Sequence, residues 1–161
     1  MKRAAIFWSM ALSLVLILGA PVKSVQAQEP IILGIPTSLG FLEGKEGLFC
    51  VNMAVDEINR AGGVKVGDTM RPFQVVSIDA RGAEPGVPVA EVIKAHKKLI
   101  LEDEADFIVF GSFRSECAIA VMDLVGQHKI PMLLGTAMSP AMEAKVKADY
   151  DKYKYTFRVC L

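Results

Sequence analysis

Short apolar runs alternate along this chain with longer stretches in which apolar residues recur at helical spacing. Ile31 to Ile35 is a continuous apolar run closed by Pro36, the pattern of a strand buried on both faces. Leu48, Val51, Val55 and Ile58 then recur every three or four residues, with Asn52, Asp56, Glu57 and Asn59 on other faces, and Ala61-Gly62-Gly63 supplies a helix stop. Phe73 to Ile78 predicts a second strand, and the Gly- and Pro-bearing stretch 82–88 a loop. A second helix over Val89 to Glu102 places Val89, Val92, Ile93, His96, Leu99 and Ile100 along one side. Phe107 to Phe110 predicts a third strand. A helix with Ala118, Val121, Met122 and Val125 inward follows it. Ile130 to Leu134 is a fourth strand, 141–147 a short helix and Tyr155 to Val159 a fifth strand. The order βαβαβαβαβ implies an α/β fold: a doubly wound parallel five-stranded sheet with helices on both faces, flavodoxin-like. Ligands of such sheets sit beyond the strand carboxyl ends, where strand order reverses. Attention therefore falls on the loops after Ile35, Asp79, Phe110 and Leu134.

The first 27 residues follow a different logic. Lys2 and Arg3 precede an apolar run over 4–19, then Pro21 and the small-residue ending Val25-Gln26-Ala27. This is the order of a secretory signal peptide cut after Ala27. The competing reading is a membrane anchor, but the apolar run falls short of the roughly 20 residues a spanning helix needs. Gln28 follows the cut and no Cys lies nearby, so a lipid-anchored terminus is not expected. Removing 1–27 leaves one domain over 28–161 with a net charge near −3, and no stable membrane insertion.

The 161 residues carry a formal net charge of zero, without the basic excess of a nucleic-acid binder. Export implies an oxidising compartment, the periplasm. Of the three cysteines, Cys50 and Cys117 fall in apolar helical patterns and read as small buried hydrophobes rather than a bridge; the third is Cys160. There is no CxxC or Cys/His cluster to hold zinc.

Two carboxyl-end loops carry candidate chemistry. In Gly111-Ser112-Phe113-Arg114-Ser115-Glu116, Ser115 stands where a helix begins. Unpaired N–H groups and the dipole there suit a carboxylate, although Ser is also a favoured helix cap in any protein. In Gly135-Thr136-Ala137-Met138-Ser139-Pro140 the hydroxyls face the same side, or the segment is a plain turn. No GxGxxG, GxxxxGK[ST] or GxSxG occurs, which leaves dinucleotide, P-loop and serine-hydrolase chemistry without a signature. His96 and His128 lie in helices and read as structural; Glu102-Asp103-Glu104 with Asp106 reads as a solvated turn.

The run Ile31–Ile35, the helix ending in Ala54-Val55-Asp56-Glu57-Ile58-Asn59-Arg60-Ala61-Gly62-Gly63-Val64, the strand end at Asp79 and the Phe157-Arg158 pair resemble type I periplasmic binding proteins. Within these, the chain is similar to the leucine/isoleucine/valine-binding group and its amide- and urea-binding relatives. The helix-to-Gly-Gly stretch is the most specific piece, and the resemblance spans residues 30–161. It implies two lobes closing on a small solute, delivery to an ABC permease and ATPase, no cofactor and no reaction. It also implies that Ser115 holds a ligand carboxylate and that the loop at Thr136 meets the ligand ammonium. Where amino-acid binders carry a threonine, this chain has Met138 with Ser139 beside it, a departure that tells against an α-amino-acid ligand. Phe113, and Phe41 or Glu43 after the first strand, complete the candidate set; the disulfide of some members is not reproduced.

Family members are more than twice as long, so the chain is expected to comprise the N-terminal lobe only and to bind ligand poorly alone, since one lobe leaves the ligand in water. Two other readings stand beside solute capture: an extracytoplasmic sensor domain of a signalling system, and a small flavodoxin-like enzyme. Export and the missing motifs count against the enzyme.

Overall fold

The computed structural model describes residues 28–159. The signal-peptide reading of 1–27 and Cys160 lie outside that range. Seven strands and five helices run in the order β1 (Ile31–Thr37), α1 (Leu42–Arg60), β2 (Val64–Val66), β3 (Thr69–Arg71), β4 (Phe73–Asp79), α2 (Val89–Leu101), β5 (Phe107–Val109), α3 (Ser115–His128), β6 (Met132–Leu134), α4 (Ala141–Ala148), α5 (Tyr150–Tyr153) and β7 (Thr156–Arg158). The main sheet has the order β4-β1-β5-β6-β7, and every pair in it is parallel. The chain moves outward from β1 to β4, then back across to β5, so strand order reverses between β1 and β5.

Helices cover both faces. On one, α1 packs through Val55 on Ile31, Leu33 and Ile35. On the other, Val92 and Leu99 of α2 and Val121, Met122 and Val125 of α3 close over Ile108, Met132 and Leu134, all without solvent exposure. The face under α1 is less complete. The lateral row Val109, Leu133 and Phe157, aligned by strand register, leaves Leu133 and Phe157 exposed.

Several elements differ from expectation. Helix α1 begins at Leu42 rather than near Leu48; its first turns carry buried Gly44 and Gly47 instead of apolar side chains, which hides them from a hydrophobicity pattern. Cys50 is exposed, contrary to its reading as a small buried hydrophobe, whereas Cys117 is buried. One residue before half-buried Val51, Cys50 is rotated about 100° off the inward stripe. The hairpin β2–β3 was not foreseen. Its strands pair Val64 with Arg71 and Val66 with Thr69 around a turn at Gly67-Asp68, where Gly67 has φ +60°. Strand β6 starts at Met132 rather than Ile130, since Pro131 has no N–H to give the ladder. The acidic run is largely solvated, as expected, but Asp103 pairs with Lys98 at 2.7 Å and the exposed Asp106 also accepts the Ile32 N–H at 2.8 Å, which ties the loop to β1.

Asp123 on α3 fastens the C-terminal helices. Its carboxylate accepts from Lys145 Nζ at 2.7 Å, Lys152 Nζ at 2.8 Å and the Tyr153 hydroxyl at 2.7 Å. Hydrogen bonds from Lys145 and then Lys152 hold its carboxyl well below the usual range. The Asp123 side chain is half exposed, so solvent screening keeps its worth modest. Asp123→Asn is expected to cost about 1 kcal/mol at neutral pH, less in high salt. The contribution is present above the ordinary carboxylate pKa and is lost as pH falls through the lower native value. Urea denaturation of both proteins at low and high ionic strength measures this.

Candidate functional site

The carboxyl ends of β1 and β5, where strand order reverses, frame a small hollow lined by Thr37, Ser38, Glu43, Gly82, Phe110 and Ser112 through Phe113. Local bonds fix its walls. The Thr37 hydroxyl donates to the Gly44 carbonyl at 2.7 Å, and Ser38 Oγ accepts from the Ala83 N–H at 2.8 Å, so both hydroxyls help hold the walls. Asp79 accepts from the Leu39 N–H at 3.0 Å, holding the loop after β1 against the end of β4. Glu43, in the first turn of α1, has its carboxyl pushed up by burial.

Phe110 and Gly111 turn the chain from β5 toward α3 through positive φ, +68° and +30°. A Phe in the left-handed region is strained. Its ring is accommodated where Gly47 of α1 and Gly135 after β6 present no Cβ; a methyl at either would press on it. The ring thus spaces α1 from the loop after β6. Arg114 locks the next turn: Nε donates to the Gly82 carbonyl at 3.0 Å and Nη2 to the Val87 carbonyl at 2.7 Å. The loops after β4 and β5 are thereby held together.

Ser115 is the first residue of α3. The N-cap is Arg114, and no side chain caps the helix. The Ser115 hydroxyl does not act as the cap that its position also allowed. It accepts from the Ser139 N–H at 3.2 Å, joining the start of α3 to the loop after β6. Ser139 Oγ in turn accepts from the Ala141 N–H at 3.3 Å, at the start of α4.

The structure therefore brings the candidate residues to one edge in two adjoining groups. Glu43 and Phe113 share the hollow at the β1/β5 switch; Ser115 and Ser139 meet beside it. Met138 is 65% exposed. The Thr136 hydroxyl is buried without a hydrogen-bond partner among the described residues, as is that of Ser112. Phe41 precedes α1 and is exposed. Sequence reasoning passed over Ser38 and Ser112 as wall residues, although each follows a strand end within a few residues. Neither histidine belongs here: His96 is fully buried in α2 and His128 ends α3. Among the described residues no group of His, Cys, Asp and Glu could hold a metal ion, and no helix is long and apolar enough to cross a membrane.

The single parallel sheet, its reversal between β1 and β5 and the loops gathered there define a lobe of the type I periplasmic-binding-protein fold. Among solved structures, this chain is similar to substrate-binding proteins of branched-chain amino-acid ABC transporters. It shares 25% identity and a TM-score of 0.67 with a branched-chain amino acid ABC transporter protein from Silicibacter pomeroyi, over 81% of this chain and 31% of that one. An ABC transporter substrate-binding protein from Sphaerobacter thermophilus shares 25% identity and a TM-score of 0.60, over 81% and 32%. The branched-chain amino acid substrate-binding protein LivJ from Streptococcus pneumoniae, solved with isoleucine, shares the fold at 19% identity and a TM-score of 0.62, over 81% and 33%. The chain thus spans about a third of the length of the structures it matches. No protein-family model matches it.

Proposed function

We propose that residues 28–161 are the N-terminal ligand-binding lobe of an extracytoplasmic solute-binding protein. It captures a small carboxylate-bearing solute and hands it to the permease and ATPase of a branched-chain amino-acid type ABC importer, without catalysing a reaction. The observation that carries this reading is the Ser115–Ser139 bond. It places an uncapped helix start, a serine hydroxyl and the loop after β6 side by side at the carboxyl edge of the sheet. Unpaired N–H groups at a helix start favour a carboxylate. Ser115 keeps a hydroxyl hydrogen to donate while its oxygen accepts from Ser139. In this reading Thr136, Met138 and Ser139 form the wall from the loop after β6, and Phe113 and Glu43 the wall toward β1. The likeness to ABC substrate-binding proteins points the same way, and an extracytoplasmic location goes with it.

The test is an amide-shift titration of the 161-residue chain with 4-methylpentanoate, which carries the carboxylate without an α-ammonium, and, separately, with its amide, 4-methylpentanamide. The carboxylate is expected to move Ser115 and the Gly135–Ser139 amides, with affinity weaker than about micromolar because a single lobe leaves the ligand wet. The amide, lacking the carboxylate, should leave those amides unmoved. Ser115→Ala should weaken the carboxylate response about tenfold, the worth of one good hydrogen bond to a charged group. Equal responses to the acid and its amide, or shifts confined to other regions, would sink the proposal.

A further inference from the structure

A second, open recess of about 520 Å³ lies past the loop after β6, between α4, the start of α5 and the edge strand β7. It adjoins the first site, since the Met142 N–H donates to the Ser139 carbonyl at 3.3 Å, but none of Ser115, Thr136 and Ser139 lines it. Its floor is apolar: Leu134 of β6 with Met142 and Val146 of α4. Its β7 wall is polar. Thr156 and Arg158 are two residues apart on one strand, so both point to the α3 side of the sheet, where register sets Arg158 beside buried Leu134.

Those two side chains are incompletely satisfied. Arg158 Nη2 pairs with Glu143 at 2.5 Å, but its Nη1 is buried without a hydrogen-bond partner among the described residues. The Thr156 hydroxyl is buried without one as well. A guanidinium nitrogen only donates and a hydroxyl is able to donate, so both call for one acceptor. Unsatisfied buried donors are uncommon in native proteins, and a pair on one wall of one recess points to a shared partner. Lys147 also lines the recess, so Arg158 and Lys147 outnumber Glu143 by one positive charge. Tyr150, exposed at the rim, offers an aromatic face.

From this geometry we infer that the α4–β7 recess is a separate binding site for a small organic carboxylate with an apolar body. The carboxylate accepts from Arg158 Nη1 and Thr156 Oγ1 in a charge-assisted pair of hydrogen bonds. The apolar body lies on Leu134, Met142 and Val146 and against Tyr150. The volume lies within the range of small-molecule pockets, and an apolar lining with a few convergent polar groups is their usual make-up.

Benzoate is the probe, titrated into the 161-residue chain while amide shifts are followed. Saturable shifts at Val146, Tyr150, Thr156 and Arg158 are expected. Acetate, which lacks the apolar body, and inorganic phosphate should each bind about tenfold more weakly or worse. Thr156→Val, which keeps the side-chain shape, and Arg158→Lys, which keeps the charge, should each weaken benzoate about tenfold. Should Arg158→Lys fail to fold, Thr156→Val decides alone. No saturable shift at these residues, shifts confined to Ser115 and Gly135–Ser139, or undiminished binding by Thr156→Val overturns the site. The outcome is distinguishable from that of the first titration, because Val146, Tyr150, Thr156 and Arg158 line this recess and Ser115, Thr136 and Ser139 do not.

Discussion

Gly44→Ala is expected to destabilise the protein by about 2 kcal/mol, although it replaces a poor helix former with the best one. Helix propensity by itself favours alanine at a helical position by about 1 kcal/mol. Sterics oppose it. A Cβ at Gly44 would collide with the backbone N, C and O of Ser38, none of which is the end of a flexible side chain. Ser38 is itself buried and pinned, its Oγ accepting from Ala83 and its carbonyl from the Phe41 N–H at 3.0 Å. The first turn of α1 must therefore lift, which also strains the 2.7 Å bond from Thr37 to the Gly44 carbonyl. Overpacking of this kind costs about 1–3 kcal/mol, occasionally more, and with backbone as the obstacle the upper end outweighs the propensity gain. Thermal denaturation of the two proteins decides between the effects. A higher Tm for the alanine variant would mean that α1 does not approach Ser38 this closely.

Acidification from pH 6.5 to 4 is expected to remove about 3 kcal/mol of stability through one residue, His96. Its ring is wholly buried in α2, and Nδ1 lies 2.8 Å from the Val92 carbonyl. A carbonyl only accepts, so Nδ1 carries the proton and Nε2 is left as a buried acceptor without a partner among the described residues. Burial pushes the imidazole down to about 4, and the bond to Val92 offsets only part of this. An unfolded histidine has a pKa near 6.5. Between the two values the unfolded chain binds the proton and the native one does not, so stability falls with falling pH across that window and levels off below it. His96→Leu keeps the volume, removes the orphaned nitrogen and should flatten the urea-midpoint curve between pH 4 and 6.5. A wild-type curve already flat there would contradict the assignment.

Both predictions turn on packing, which marks the limit of what the chain displays in one dimension. Strand and helix alternation was legible because each buried strand needs an apolar run and each covering helix an apolar stripe. Ile31 to Ile35, Val92 to Ile100 and Val121 to Val125 showed this plainly. The hairpin at Val64 to Arg71 was missed because it lies at the margin and buries little, so hydrophobicity hardly marks it. Thr156 and Arg158 drew no attention as site residues either. An unsatisfied donor is a property of surroundings, and a sequence does not list surroundings.

By itself, the sequence determined the α/β class, the five-stranded parallel sheet and the edge at which its loops gather. Period and turn chemistry are local, and the right-handed crossover leaves few ways to assemble them. Only the tertiary structure decided which serine accepts from which loop, that Phe110 rests against two glycines, that Cys50 faces outward while His96 is sealed in, and that a recess forms beside β7. Those outcomes depend on ångström-scale approach between elements far apart in the chain, where a single Cβ or a rotation of about 100° per residue along a helix changes the answer.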